Sequence, residues 1–125
     1  MSNGLQINVS QMQGRVPVTV FHIKGAIDAS TQQDLQAKAK EAFEAGTRDL
    51  ILDLSDVSYM ASAGFRAIHS IYGMLHADAP KNAPHKPLHL KLLNPSPEVS
   101  RIIKTLGFDI YVSTATDLKE AVAAF

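Results

Sequence analysis

One hydroxyl in this sequence is placed to take part in chemistry. Ser62 stands in the stretch Asp53-Leu-Ser-Asp-Val-Ser-Tyr-Met-Ala-Ser-Ala-Gly-Phe-Arg-Ala-Ile68. An apolar run at residues 50–54 reads as a buried strand, followed by a short polar turn. Ser62 then opens a segment with helical periodicity. The next two residues, Ala63 and Gly64, add no bulk, so a partner can reach the hydroxyl. A helix N-terminus is the positive end of a dipole, where a phosphate is tolerated. The expected structural role of Ser62 is the N-cap of that helix.

As a nucleophile, Ser62 lacks support. Ser62-Ala-Gly64 matches the second half of a Gly-x-Ser-x-Gly elbow, but position 60 is Met. His69 lies about two helical turns on, roughly 10 Å away at 1.5 Å per residue, too far to act as its base. Neither Gly-x-Gly-x-x-Gly nor the phosphate-binding Gly-x-x-x-x-Gly-Lys pattern occurs. His76, His85 and His89 gather in and beside a proline-rich stretch. They read as solvated loop histidines, because no nearby Cys or carboxylate pattern completes a metal-ligand set. His22 reads as structural. Asp53, at the end of the strand, and Asp56 suggest a metal or acid–base pair, but Asp56 and Ser58 read rather as turn residues bonding loop amides. A phosphate on Ser62 would add about −1.5 to −2 charges, stabilised by helix amides and repelled by an acidic or apolar partner.

The elements that must position Ser62 follow from pattern. The chain has 125 residues, 46% hydrophobic and 19% charged, with zero formal net charge and no cysteine. That composition fits one globular domain over residues 1–125, without disulfides, thiol chemistry or thiolate metal sites. Neutral charge gives no electrostatic case for nucleic acid or an anionic membrane. The start has no secretory pattern, and no apolar run could insert into a bilayer, so the expected location is cytoplasmic.

Residues 5–10 and 16–24 read as two strands of a hairpin turning at Gly14. Asp28 and Ser30 offer N-cap groups, with Ser30 and Gln33 at capping-box spacing. Leu35, Ala39, Ala42 and Phe43 mark a first helix. Leu50, Ile51 and Leu52 are apolar in succession rather than in alternation, so both faces of the sheet should be covered there. Phe65, Ile68, Ile71, Tyr72 and Leu75 mark the second helix. Pro80, Pro84 and Pro87 break regular structure in a loop at residues 76–87, which reads as a tolerated surface insertion. Leu88, Leu90 and Leu92 alternate with His89 and Lys91, a strand with one more polar face. Ser96 and Pro97 start a third helix. Residues 110–112 read as a last strand, and Thr114 as the cap of a fourth helix carrying Leu118, Val122 and Phe125. The expectation is an α/β fold: a mixed, mainly parallel sheet of about five strands with about four helices.

Three segments together resemble the STAS domain family, in the form of bacterial anti-sigma factor antagonists. Gly25-Ala-Ile-Asp28 resembles the family's Gly-x-Leu-Asp, and residues 50–57 its hydrophobic strand with Asp-Leu-Ser-x-Val. Tyr59-Met-Ala-Ser-Ala-Gly64 resembles its (Phe/Tyr)-(Met/Ile)-(Asp/Ser)-Ser-(Ser/Ala)-Gly turn. The resemblance implies a non-enzymatic partner switch without cofactor or metal. The unphosphorylated protein binds an anti-sigma factor that is also a serine kinase, phosphorylation releases it, and a serine phosphatase restores it. The phosphoacceptor falls on Ser62. Asp28, Tyr59, Met60, Ala61, Ala63, Gly64 and Phe65 fall around the partner-facing surface, and a weak homodimer is admitted. Sporulation-type members carry Asp immediately before the serine, where this chain has Ala61. Two alternatives stay open. One is an accessory subunit of a membrane lipid transporter of the ABC type; the other is a small nucleotide-binding or hydrolase domain.

Overall fold

The computed structural model describes residues 5–77, 89–110 and 112–125. Pro80, Pro84, His85, Pro87, Leu88 and Tyr111, on which some sequence expectations fall, lie outside them. Strands β1 (Gln6–Gln13) and β2 (Pro17–Ile27) form the expected hairpin, antiparallel from Gln6↔Lys24 to Gln13↔Pro17. Next come α1 (Gln32–Glu44), β3 (Leu50–Met60), α2 (Ser62–Leu75), β4 (Leu90–Leu93) and α3 (Pro97–Thr105). A 3₁₀ turn at Phe108–Ile110, β5 (Ser113–Ala115) and α4 (Leu118–Ala123) complete the order. The sheet runs β1-β2-β3-β4-β5, with every pair after the hairpin parallel.

The continuous apolar run of β3 is divided between two layers. Leu50, Leu52 and Leu54 pack in one core with Leu35 and Ala39 of α1, Phe65, Ile68 and Ile71 of α2, and Val99 and Ile103 of α3. Ile51 points the other way, with Val18, Val20 and Leu93, against Ala121 and Val122 of α4. Period-two alternation thus buries both faces at Leu50, Ile51 and Leu52, as three successive apolar residues require.

The polar turn expected after residue 54 is instead strand. β3 continues to Met60, and its pairing with β2 shifts register twice, between His22 and Lys24 and between Gly25 and Ala26. Each shift lodges one extra residue in β3. Leu54, Val57 and Met60 stay buried at every third position, while Ser55, Asp56, Ser58 and Tyr59 are exposed in pairs. A period of three mimics a turn in sequence, and bulges are what let a strand carry it. Gly25 sits at the second shift with φ +119°, where a side chain would be strained.

Three smaller expectations also change. All four residues of β4 are buried, so its more polar face, carrying Lys91, is not exposed to solvent. Lys91 is covered because its ammonium donates to Ser113 Oγ at 3.0 Å and lies 5.0 Å from the centre of the Phe125 ring. The last strand falls at Ser113–Ala115 rather than 110–112. Thr114 therefore pairs with Leu92, and Asp117 caps α4 by accepting from the Lys119 amide. Ser96 does cap α3, accepting from the Val99 amide at 3.2 Å.

Candidate functional site

The ends of β2 and β3 bring the candidate residues together. Ile27 pairs with Met60, and the Ala61 amide donates to the Ile27 carbonyl at 2.9 Å. The chain therefore leaves the sheet at neighbouring points, with Asp28 following one strand and Ser62 the other. Ala61, half-buried and extended at φ −84° and ψ 173°, is the N-cap of α2. Its carbonyl accepts from the Gly64 amide at 2.8 Å. Ser62 is thus the first helical residue rather than the cap, and it is exposed. Alanine has no side-chain oxygen, so the N-cap itself offers the first-turn amides of α2 no side-chain acceptor.

Beneath Ser62, α2 lies very close to the sheet. A methyl group at Gly64 would come 2.6 Å from Met60 Cγ, 2.9 Å from Ile27 Cγ2 and 3.1 Å from the Ile27 carbonyl oxygen. Gly64 is there because only hydrogen fits. The side chains of Met60, Ala63 and Phe65 are also buried. These residues hold the surface from below. The side chains that form it are Ser62, Arg66 and Tyr59, the last 55% exposed.

Asp28 organises the adjoining turn. One carboxylate oxygen accepts from the Ser30 hydroxyl at 2.7 Å, the Ser30 amide at 2.9 Å and the Thr31 amide at 3.2 Å. The buried Thr31 hydroxyl donates to the Ala26 carbonyl at 2.8 Å. Thr31 takes the N-cap position of α1, so the expected Ser30–Gln33 box is replaced by this Asp28-centred turn. The Ser30 hydroxyl above all, then its amide and the Thr31 donors, hold the Asp28 carboxyl below the usual carboxylate range. A fixed negative charge therefore lies near Ser62, and Ala61 in place of aspartate avoids a second.

A second polar cluster escaped the sequence reading. Ser10 of β1, His22 of β2 and Asp53 of β3 form a cross-strand chain of hydrogen bonds. His22 Nδ1 donates to Asp53 Oδ2 at 2.9 Å, and its Nε2 is hydrogen-bonded with Ser10 Oγ at 3.1 Å. The other Asp53 oxygen accepts from the Ser55 hydroxyl at 2.6 Å and the Ser55 amide at 3.0 Å. Burial raises the Asp53 carboxyl most, but the Ser55 and His22 donors together outweigh it and hold it low. No local spacing links positions 10, 22 and 53; strand register alone joins them. Asp53 thus bonds across to His22 of β2 and to Ser55 of its own strand, while Asp56 and Ser58 lie within β3 rather than in a turn.

His76 and His89 are not the solvated loop residues expected. Both are half-buried, and their ring centres are 4.9 Å apart. The His76 ring also stacks on Tyr72 at 4.1 Å. His89 Nδ1 donates to Asp49 Oδ1 at 2.9 Å.

Comparison with known proteins places this architecture. The profile of the STAS domain matches residues 9–121. An anti-sigma factor antagonist from Mycobacterium paratuberculosis superposes with a TM-score of 0.75 at 22% identity, over 96% of this chain and 92% of that one. The anti-sigma factor antagonist SpoIIAA in its unphosphorylated form gives 0.65 at 20% identity, over 94% of each chain. Bacillus SpoIIAA in the phosphorylated form gives 0.68 at 20%, over 94% of this chain and 96% of that one. At such identities the likeness shows the fold alone. No curated protein sequence matches the chain. Among the described residues, no helix is long and apolar enough to cross a membrane. With its profile matched across nearly the whole chain and its five-stranded mixed sheet shared with these structures, the chain belongs to the STAS domain family.

Proposed function

We propose that this chain is a non-enzymatic anti-sigma factor antagonist, acting in the bacterial cytoplasm to regulate transcription, with Ser62 as its phosphorylation switch. The unphosphorylated form binds an anti-sigma factor that is also a serine kinase, through Tyr59, Ser62 and the exposed face of α2. Asp28 borders that contact. Met60, Ala61, Ala63, Gly64 and Phe65 fix its shape. Phosphorylation of Ser62 weakens the complex, and a serine phosphatase restores it.

The observation that carries this reading is the setting of Ser62. It is exposed at the first position of an α-helix whose N-cap offers no competing side-chain acceptor. A phosphate there would add about −1.5 to −2 charges at a helix terminus that favours anions. The fold can therefore accept the charge while the contact surface changes sign. Structures of both phosphorylated and unphosphorylated SpoIIAA share this fold, which supports the reading.

Binding of Ser62→Asp and Ser62→Ala to a kinase partner recovered from the native host tests it. Ser62→Asp should lose binding by at least tenfold and Ser62→Ala should keep it. Equal, wild-type affinity of both variants would overturn the switch.

A further inference from the structure

We propose that His76 and His89 form a two-histidine site for a divalent first-row transition ion, such as Zn(II) or Ni(II), at the C-terminal end of α2. Four observations converge there. His76 Nδ1 lies 2.8 Å from the Tyr72 carbonyl, which can only accept, so Nδ1 carries the proton and the Nε2 lone pair is free. That Nε2 is buried and, among the described residues, has no hydrogen-bond partner. A buried polar atom without a partner calls for a water or an ion that would complete it.

The second imidazole is held in the same way. Asp49 Oδ1 accepts from His89 Nδ1 at 2.9 Å, which turns the His89 Nε2 lone pair outward from the carboxylate. A carboxylate or carbonyl on the far nitrogen is the usual support of a metal-binding histidine. The spacing also fits. Two imidazoles bound to one tetrahedral ion at about 2.0 Å have ring centres about 5 Å apart. Here the centres are 4.9 Å apart with planes tilted by 55°.

The described residues hold no group of three His, Cys, Asp or Glu side chains suited to a metal. The described residues therefore supply two ligands and leave the remaining coordination positions to water. Affinity should be modest and should follow the ordinary order of nitrogen sites, Ni(II) above Co(II).

Calorimetric titration of the untagged protein with Zn(II) and Ni(II) chlorides tests the site. One ion per chain should bind, with His76→Gln and His89→Gln each weakening it at least tenfold. Asp49→Ala keeps both ligands but loses the support, and should weaken it about tenfold. His22→Gln, elsewhere on the sheet, should change nothing. Circular dichroism of each variant separates lost ligands from lost folding. If the wild type takes up no ion, or if folded His76→Gln and His89→Gln bind as the wild type does, the proposal is wrong and a buried water is the better occupant.

Discussion

Replacing Gly64 by alanine should cost stability, although alanine is the better helix former. In an unhindered helix interior the change stabilises by about 1 kcal/mol. At Gly64 the new methyl would lie 2.6 Å from Met60 Cγ and 2.9 Å from Ile27 Cγ2. Carbon atoms rest at about 3.5–4.0 Å, so each approach is roughly 0.6 Å or more too close. Neither neighbour can withdraw easily, since Met60 and Ile27 are both buried where β2 and β3 pair. Overpacking of this kind costs about 1–3 kcal/mol. Taking about 2 for the clash and subtracting about 1 for helix propensity leaves about 1 kcal/mol of net destabilisation. Gly73 provides the control: it is on the same helix, exposed, with none of the described residues within 4 Å of an added methyl. Gly73→Ala should stabilise by about 1 kcal/mol, so the two variants should differ by about 2. Urea unfolding followed by circular dichroism reads both. If Gly64→Ala gains stability as Gly73→Ala does, the close approach of α2 to the sheet is not what positions Ser62.

Other outcomes follow from the same contacts. Asp28→Ala should lower the melting temperature and loosen the turn beside Ser62, whereas Asp28→Asn, which keeps an accepting oxygen, should lose less; equal losses would mean the hydrogen bonds to Ser30 and Thr31 are not what matters. The folded chain holds His76 below its ordinary range, so as pH falls past about 6.5 the unfolded chain takes up a proton that the folded chain does not. The His76 contribution is therefore complete above that pH and is lost as pH drops through the folded value. The urea midpoint should fall across this window, and His76→Gln should flatten the slope; an unchanged slope would refute the assignment.

Element order and the placement of the helices were legible because apolar residues recur at the right periods. Leu35 and Ala39, or Phe65, Ile68 and Ile71, announce a buried helical face whatever surrounds them. The middle of β3 was not legible, because the bulges that keep Leu54, Val57 and Met60 inside depend on the partner strand. The short β5 carries too few residues for a period and was misplaced by three positions. Ser62 could be located from local sequence alone, since a small-residue helix start is a local feature. The cap at Ala61 and the Asp28-centred turn needed the geometry of β2 leaving the sheet beside β3. The cross-strand Ser10, His22 and Asp53 cluster and the His76–His89 pair needed the fold itself, because residues far apart in sequence meet only through register and packing.

The most direct test of the switch is intact-mass and peptide analysis of the protein recovered with its partner from the native host. The account predicts one phosphate, on Ser62, in the free protein and none in the fraction held by the kinase partner. Phosphate on Ser62 in the partner-bound fraction, or its absence from the free protein under every growth condition, would contradict it.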